Sequence, residues 1–277
     1  MIRQVRLPDG EPVPALGQGT WRMGERADRR AEETASIQEG VDLGLSLIDT
    51  AEMYGDGATE AFLGEALAGI RDKTFLVSKA YPQNASRGRL ARACDASLKR
   101  LKTDRLDLYL LHWRGSVPLE ETVEAMQALV SAGKIRHWGV SNFDVDDVDD
   151  LIAAGGAACA TNQVLYNLSR RGVEFDLLPR MSERRMPPMA YSPIEQGRLV
   201  TSSALIEIGR RHGLAPLQVA LAWVMRRSDV ITIPKAGRRD HVRQNRAAVD
   251  VALTTDELAT LDAAFPAPRN KSAIEML

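Results

Sequence analysis

Residues 75–112 read FLVSKAYPQNASRGRLARACDASLKRLKTDRLDLYLLH, and this stretch decides the fold class. Two short apolar runs, from Phe75 and from Leu106, flank a segment whose apolar residues Leu90, Cys94, Leu98 and Leu101 recur at helical spacing. Strand, helix, strand is the pattern of parallel strands joined by a crossover helix. Outward in both directions the pattern repeats. Apolar runs begin near Leu16, Leu47, Phe75, Leu106, Ile135, Thr161, Met189 and Val230, with helical stripes such as Leu119, Val123, Met126 and Val130 between them. Eight such units in 277 residues fit a closed (β/α)8 TIM barrel, an α/β fold of about 250 residues.

The remaining segments decorate this frame. Val5–Leu7, a turn at Pro8-Asp9-Gly10, and Pro12-Val13 predict an N-terminal β-hairpin. The step to the eighth run is longer, and extra helices are expected over Ser203–His212 and Pro216–Met225, the second opening with proline at a first-turn position. Thr254 and Glu257 form a capping-box pattern that opens one more helix. With no linker or low-complexity stretch, residues 1–277 are expected to form a single domain.

Composition narrows the function classes. A net charge of −1, with both signs spread along the chain, gives no electrostatic case for nucleic acid or a membrane surface. Two cysteines, Cys94 and Cys159, lack zinc-ligand spacing and suit a reducing compartment. No apolar run has the length of a membrane span, and the N-terminus lacks a signal-like core, so a cytoplasmic monomer is expected.

Active sites of such barrels gather at the carboxyl ends of the strands. Reading the residues there in order gives Gly19-Thr20-Trp21, then Asp49, Lys79, His112, Ser141-Asn142, Asn162-Gln163, Tyr191-Ser192 and Lys235. The informative feature is type: an acid, a lysine and a histidine directly after three successive apolar runs. Tyr54 follows in the turn-rich AEMYGDG and can fold back over the same rim. A phenol has a pKa near 10 and is a poor acid at neutral pH. Lys79 should stabilise the phenolate and lower that value, Asp49 should hold the lysine charged, and His112 can donate to a carbonyl oxygen. That set suits hydride addition to a carbonyl and needs no metal.

The stretches GQGTW, LIDTAEMYG, VSK, LDLYLLHW, GKIRHWGVSN, TNQVLYN, AYSP and IPKA, in this order, closely resemble the aldo-keto reductase superfamily over residues 13–266. The chain is most similar to bacterial members associated with methylglyoxal and other small α-dicarbonyls. The resemblance implies a catalytic tetrad of Asp49, Tyr54, Lys79 and His112, with Tyr54 as proton donor. It implies an NADP cofactor whose carboxamide meets Ser141, Asn142 and Gln163 and whose ring stacks on Tyr191. Thr20, Trp21 and Asp49 are expected among the cofactor contacts, Ser192 at the pyrophosphate, and Lys235, Ala236, Gly237, Arg238, Arg239 and His241 around the 2′-phosphate, with Gln244 and Asn245 at the adenine. Trp21 and Trp113 should wall the substrate pocket beside Tyr54 and His112.

The sequence departs from the family where cofactor choice is made. Many members have a serine after the lysine and an arginine six positions beyond it; here Ala236 and His241 stand there. Lys235 still offers a point charge, and Arg238 or Arg239 a guanidinium, which favours NADP over NAD. The loop after His112 and the segment 266–277 are short, implying a shallow pocket for a small carbonyl. Arg114 is either an attractor of anionic substrates or a surface residue.

Each residue alone has an ordinary explanation. Asp49 can cap a turn, Lys79 and His112 can be structural, Tyr54, Tyr191 and the tryptophans can be packing residues, and Ser141-Asn142 can be a helix entry. Their ordered occurrence on successive strands argues against that account. A dinucleotide-binding doubly wound fold is disfavoured because Gly17-Gln18-Gly19 has Arg22 where a third glycine belongs. Lys79 as a Schiff-base nucleophile remains conceivable. So does an NADP-binding sensor subunit on the same barrel, which an intact set of four polar residues disfavours.

Overall fold

The computed structural model describes residues 2–277. The hairpin pairs β1 (Gln4–Arg6) with β2 (Pro12–Pro14) antiparallel, Val5 opposite Val13. Eight parallel strands follow in sequence order: β3 (Gln18–Gly19), β4 (Leu47–Asp49), β5 (Phe75–Ala80), β6 (Leu106–Leu111), β7 (Ile135–Ser141), β8 (Asn162–Leu165), β9 (Pro188–Tyr191) and β10 (Ile231–Thr232). Parallel bridges Leu16–Thr232 and Gly19–Lys235 join the first strand to the last and close the cylinder. All eight expected strands are present, and each begins within two residues of its expected start.

Close approach of the first strand to both its neighbours depends on two glycines of the GQG stretch. A Cβ on Gly17 would lie 2.7 Å from the Leu47 carbonyl oxygen, and one on Gly19 would lie 2.8 Å from that of Ile233. These glycines therefore serve close strand approach and not a phosphate turn.

Side chains alternate along each strand between the barrel interior and the helix layer. Leu47, Phe75, Val77, Leu108 and Leu110 belong to the inner cluster, which Val5, Leu7 and Val13 of the hairpin complete from below. Leu76, Tyr109 and Leu111 belong to the outer cluster against the helices. The same parity carries upward. Two positions beyond Leu47, Val77 and Leu110 stand Asp49, Lys79 and His112, so all three face the interior at its upper end. The register staggers them, since Asp49 lies opposite Val77 and Lys79 opposite Leu110.

The helices are α1 (Arg30–Asp42), α2 (Ala58–Ala66), α3 (Arg87–Leu101), α4 (Leu119–Ser131), α5 (Val145–Ala153), α6 (Leu177–Glu183), α7 (Ser203–His212), α8 (Pro216–Met225), α9 (Arg239–Ala247) and α10 (Thr255–Ala264). The stripe Leu90, Cys94, Leu98, Leu101 of α3 is buried as expected. On α4, Leu119, Val123 and Met126 are buried, but Leu129 takes the inward place expected for Val130, which is exposed. Thr254 and Glu257 form the expected capping box. No helix among the described residues is long and apolar enough to cross a membrane.

Candidate active site

Lys79 organises the upper barrel. Its ammonium is fully buried and donates to Asp49 Oδ2 at 2.8 Å, to the Thr50 carbonyl at 2.8 Å and to the Tyr54 hydroxyl at 3.2 Å. The other Asp49 oxygen accepts from Gln163 Nε2 at 2.8 Å. Thr20 Oγ donates to the Asp49 carbonyl at 2.8 Å, fixing the backbone beneath the acid. Tyr54 reaches this group because Gly55, Asp56 and Gly57 all take left-handed conformations, which turn the loop sharply back over the rim. The Tyr54 and His112 rings meet edge-on, 6.1 Å apart, and His112 packs against Trp113 at 5.0 Å. The structure thus brings together Asp49, Tyr54, Lys79 and His112.

The electrostatics correct one expectation. Burial pushes the Tyr54 phenol above its ordinary pKa; the Lys79 charge pulls it down only partly, and Asp49 adds to the rise. The expected lowering by Lys79 is present but outweighed, because desolvation disfavours the phenolate more than one ammonium favours it. Tyr54 therefore keeps its proton. Burial would discharge Lys79, but Asp49 and Tyr54 more than compensate and hold it as an ammonium. A lysine so fixed is no nucleophile. Burial, with help from the Lys79 charge, drops His112 to about 3, so the imidazole is neutral at physiological pH. Its Nδ1 has no partner among the described residues.

The neighbouring strand ends form a polar shelf. Ser141 Oγ donates to the Gln163 carbonyl at 2.9 Å, and Asn142, in the left-handed region at φ 58, donates from Nδ2 to the His112 carbonyl at 3.1 Å. The Tyr191 hydroxyl donates to Asn142 Oδ1 at 3.0 Å. Ser141 and Asn142 are not the helix entry: Asp144 caps α5 in a reciprocal box with Asp147. Asn162, by contrast, is structural, bridging Phe143 through its side-chain amide. Trp21 is exposed on the rim, with the Arg22 guanidinium 4.4 Å from its ring centroid. Arg114 is committed elsewhere, to Asp147 at 2.6 Å and Asp150 at 2.8 Å, which favours the surface role.

Beyond β10, a groove of about 770 Å³ is lined by Lys235, Gly237, Arg238, Arg239 and His241 on one side and by Arg29, Glu32 and Glu33 on the other. It opens at the start of α9, where Glu32 Oε1 accepts the Arg239 N–H at 3.2 Å. The N-terminal end of a helix favours an anion through its dipole. Lys235 pairs with no carboxylate among the described residues. Arg238 is held by Asp240 at 2.8 Å and Arg239 lies 3.8 Å from Glu32. Ala236, Gln244 and Asn245 are not in the lining; Ala236 is buried, its carbonyl accepting from Ser36. Sequence reasoning missed Arg29, Glu32 and Glu33. No local pattern marks them, since Glu32 meets Arg239 across 207 positions of chain.

The sequence pattern of the Aldo/keto reductase family matches residues 15–265. Methylglyoxal reductase YeaE of Escherichia coli is 54% identical over 281 residues, covering 99% of both chains. Glyoxal reductase of Bacillus subtilis is 30% identical over 94% of this chain and 91% of its own. An aldo-keto reductase from Klebsiella pneumoniae, solved in complex with NADPH, superposes with a TM-score of 0.97 at 49% identity over all of both chains.

Proposed function

This chain belongs to the aldo/keto reductase family, and we propose that, as a single barrel domain, it reduces small aldehydes, ketones or α-dicarbonyls to alcohols with NADPH, Tyr54 giving the proton. One observation carries the reading: a fully buried Lys79 ammonium bridges Asp49 Oδ2 and the Tyr54 hydroxyl, with a neutral His112 beside them.

The groove and shelf fit the cofactor. Lys235 and the N-terminal end of α9 suit a phosphate, with Arg238 and Arg239 in reserve. Ser141, Asn142 and Gln163 offer amide and hydroxyl groups for a carboxamide, and Tyr191 a ring for stacking. The bound nicotinamide would supply the hydride. The protein supplies the rest. His112, neutral, donates one N–H to the carbonyl oxygen and polarises it without competing as a cation. Tyr54 holds its proton until the oxygen becomes basic, then releases it. Lys79, already charged and desolvated, stabilises the phenolate left behind, and Asp49 keeps the ammonium in place. The exposed rim residues Trp21 and Met53 leave the mouth open, which favours small substrates, as do the substrates named for the Escherichia coli and Bacillus subtilis relatives.

The test is the Tyr54→Phe variant, assayed by NADPH absorbance with methylglyoxal. Turnover should fall by about 10²-fold or more while NADPH affinity stays within a few-fold. Near-normal turnover would reassign the acid.

A further inference from the structure

A strained turn follows β9. Ser192, Glu195 and Gln196 all have positive φ, at 47, 48 and 54°, although none is glycine. Such a run persists only where its surroundings over-determine it. Here the surroundings come from the loop after β8. Asn167 Nδ2 donates to the Ser192 carbonyl at 2.9 Å and to Glu195 Oε2 at 2.8 Å. Arg170 donates to the other Glu195 oxygen from Nη2 at 3.3 Å and from Nε at 3.4 Å. Glu195 is buried, and a buried carboxylate persists as a charge only with such partners.

The same Arg170 has a second carboxylate. Its Nη1 donates to Glu275 in the closing segment. That segment lies against the loop after β8: a Cβ on Gly172 would be 2.8 Å from Ser272 Oγ, and Ile274 packs on the outer core. Lys271 lies 3.6 Å from Asp146 and 3.8 Å from Asp176. Burial pushes the Tyr191 phenol up, and the Leu277 backbone beside its hydroxyl offsets part of the push.

We propose that Arg170 is a positioning residue that couples the Ser192–Gln196 turn to residues 269–277, so that seating the cofactor on the turn also seats the closing segment. The inference rests on the NADPH-dependent reading above and on the pyrophosphate contact that the family resemblance implies for Ser192. One guanidinium joins both parts: the turn that carries Ser192 and Glu195, and the segment that carries Glu275. Order imposed on the first is transmitted to the second through Glu195, Arg170 and Glu275.

Arg269 and Lys271 are exposed and followed by Asn270 and Ser272, so trypsin can report on the segment. The full chain is digested with and without saturating NADPH, loss of the segment is followed by intact mass, and NADPH binding is measured separately by its fluorescence. NADPH should slow cleavage in the wild type by about tenfold. Arg170→Met should still bind NADPH but show less than twofold slowing. Glu275→Gln, changed on the exposed side only, should behave alike, and Arg170→Lys should restore part of the effect. NADPH bound with equal protection in wild type, Arg170→Met and Glu275→Gln overturns the coupling alone, as does bound NADPH without protection of the wild type. A wild type that binds no NADPH overturns the functional reading and this proposal with it.

Discussion

Lys79 Nζ lies 2.8 Å from Asp49 Oδ2, with the lysine side chain wholly buried and the aspartate 2% exposed. At that depth neither charge can be given up to water, so each depends on the other.

Asp49→Ala should therefore destabilise the fold by about 3–5 kcal/mol, because it strands a buried ammonium. The double variant Asp49→Leu/Lys79→Met should recover most of that loss, having removed both charges, yet remain inactive. Urea unfolding beside a turnover assay checks both. A double variant no more stable than Asp49→Ala would show that the pair is not energetically coupled.

His112, held down to about 3 by burial and then by Lys79, should not titrate between pH 5 and 8. Its imidazole resonances in a histidine NMR titration should stay flat across that range. The sign for stability follows. The unfolded histidine takes up a proton near pH 6.5, whereas the native one resists until about 3. Stability from the neutral imidazole is thus complete above pH 6.5 and declines as pH falls toward 3, by on the order of 4 kcal/mol. An inflection of the His112 signal near 6.5 would contradict this.

At the groove, Lys235→Met should raise the KM for NADPH by about tenfold, equivalent to ~1.4 kcal/mol, and leave NADH nearly unchanged. Asp240→Asn should do the reverse. It releases Arg238 from its 2.8 Å partner and should lower the NADPH KM a few-fold. Parallel titrations with both cofactors decide; equal effects on NADH would place the phosphate contact elsewhere.

Gly19→Ala should cost ~1–3 kcal/mol, because its Cβ would meet the Ile233 carbonyl oxygen at 2.8 Å across the closing seam. Gly69→Ala, with φ +78 and nothing within 4 Å, supplies backbone strain without crowding. Melting temperatures of the two variants separate crowding from backbone preference.

The sequence made the barrel legible because burial on both faces of a parallel strand leaves an unbroken apolar run that local patterning reveals. It also placed Asp49, Lys79 and His112 at one rim, since strand ends are visible wherever an apolar run stops at a charge. Two kinds of information were hidden. The balance between desolvation and charge at Tyr54 depends on enclosure by the whole upper barrel, which no short window encodes. The groove opposite Lys235 depends on Glu32 and Glu33 of α1, joined to α9 only by the fold. Val130 and Leu129 show a finer limit: both lie near the apolar face of α4, and packing alone chooses between them.

Counting by twos along each strand aims the reactive side chains inward. A single inserted residue within 75–79 or 106–112 would turn every later side chain of that strand to the opposite face, moving Lys79 or His112 into the helix layer. Loops beyond the rim carry no such parity. Laboratory evolution toward a bulkier carbonyl should therefore accumulate insertions and deletions after Tyr54, Trp113 or Gln196 and none inside those strands: the reaction is written in a fixed frame, and the choice of substrate in segments free to change length.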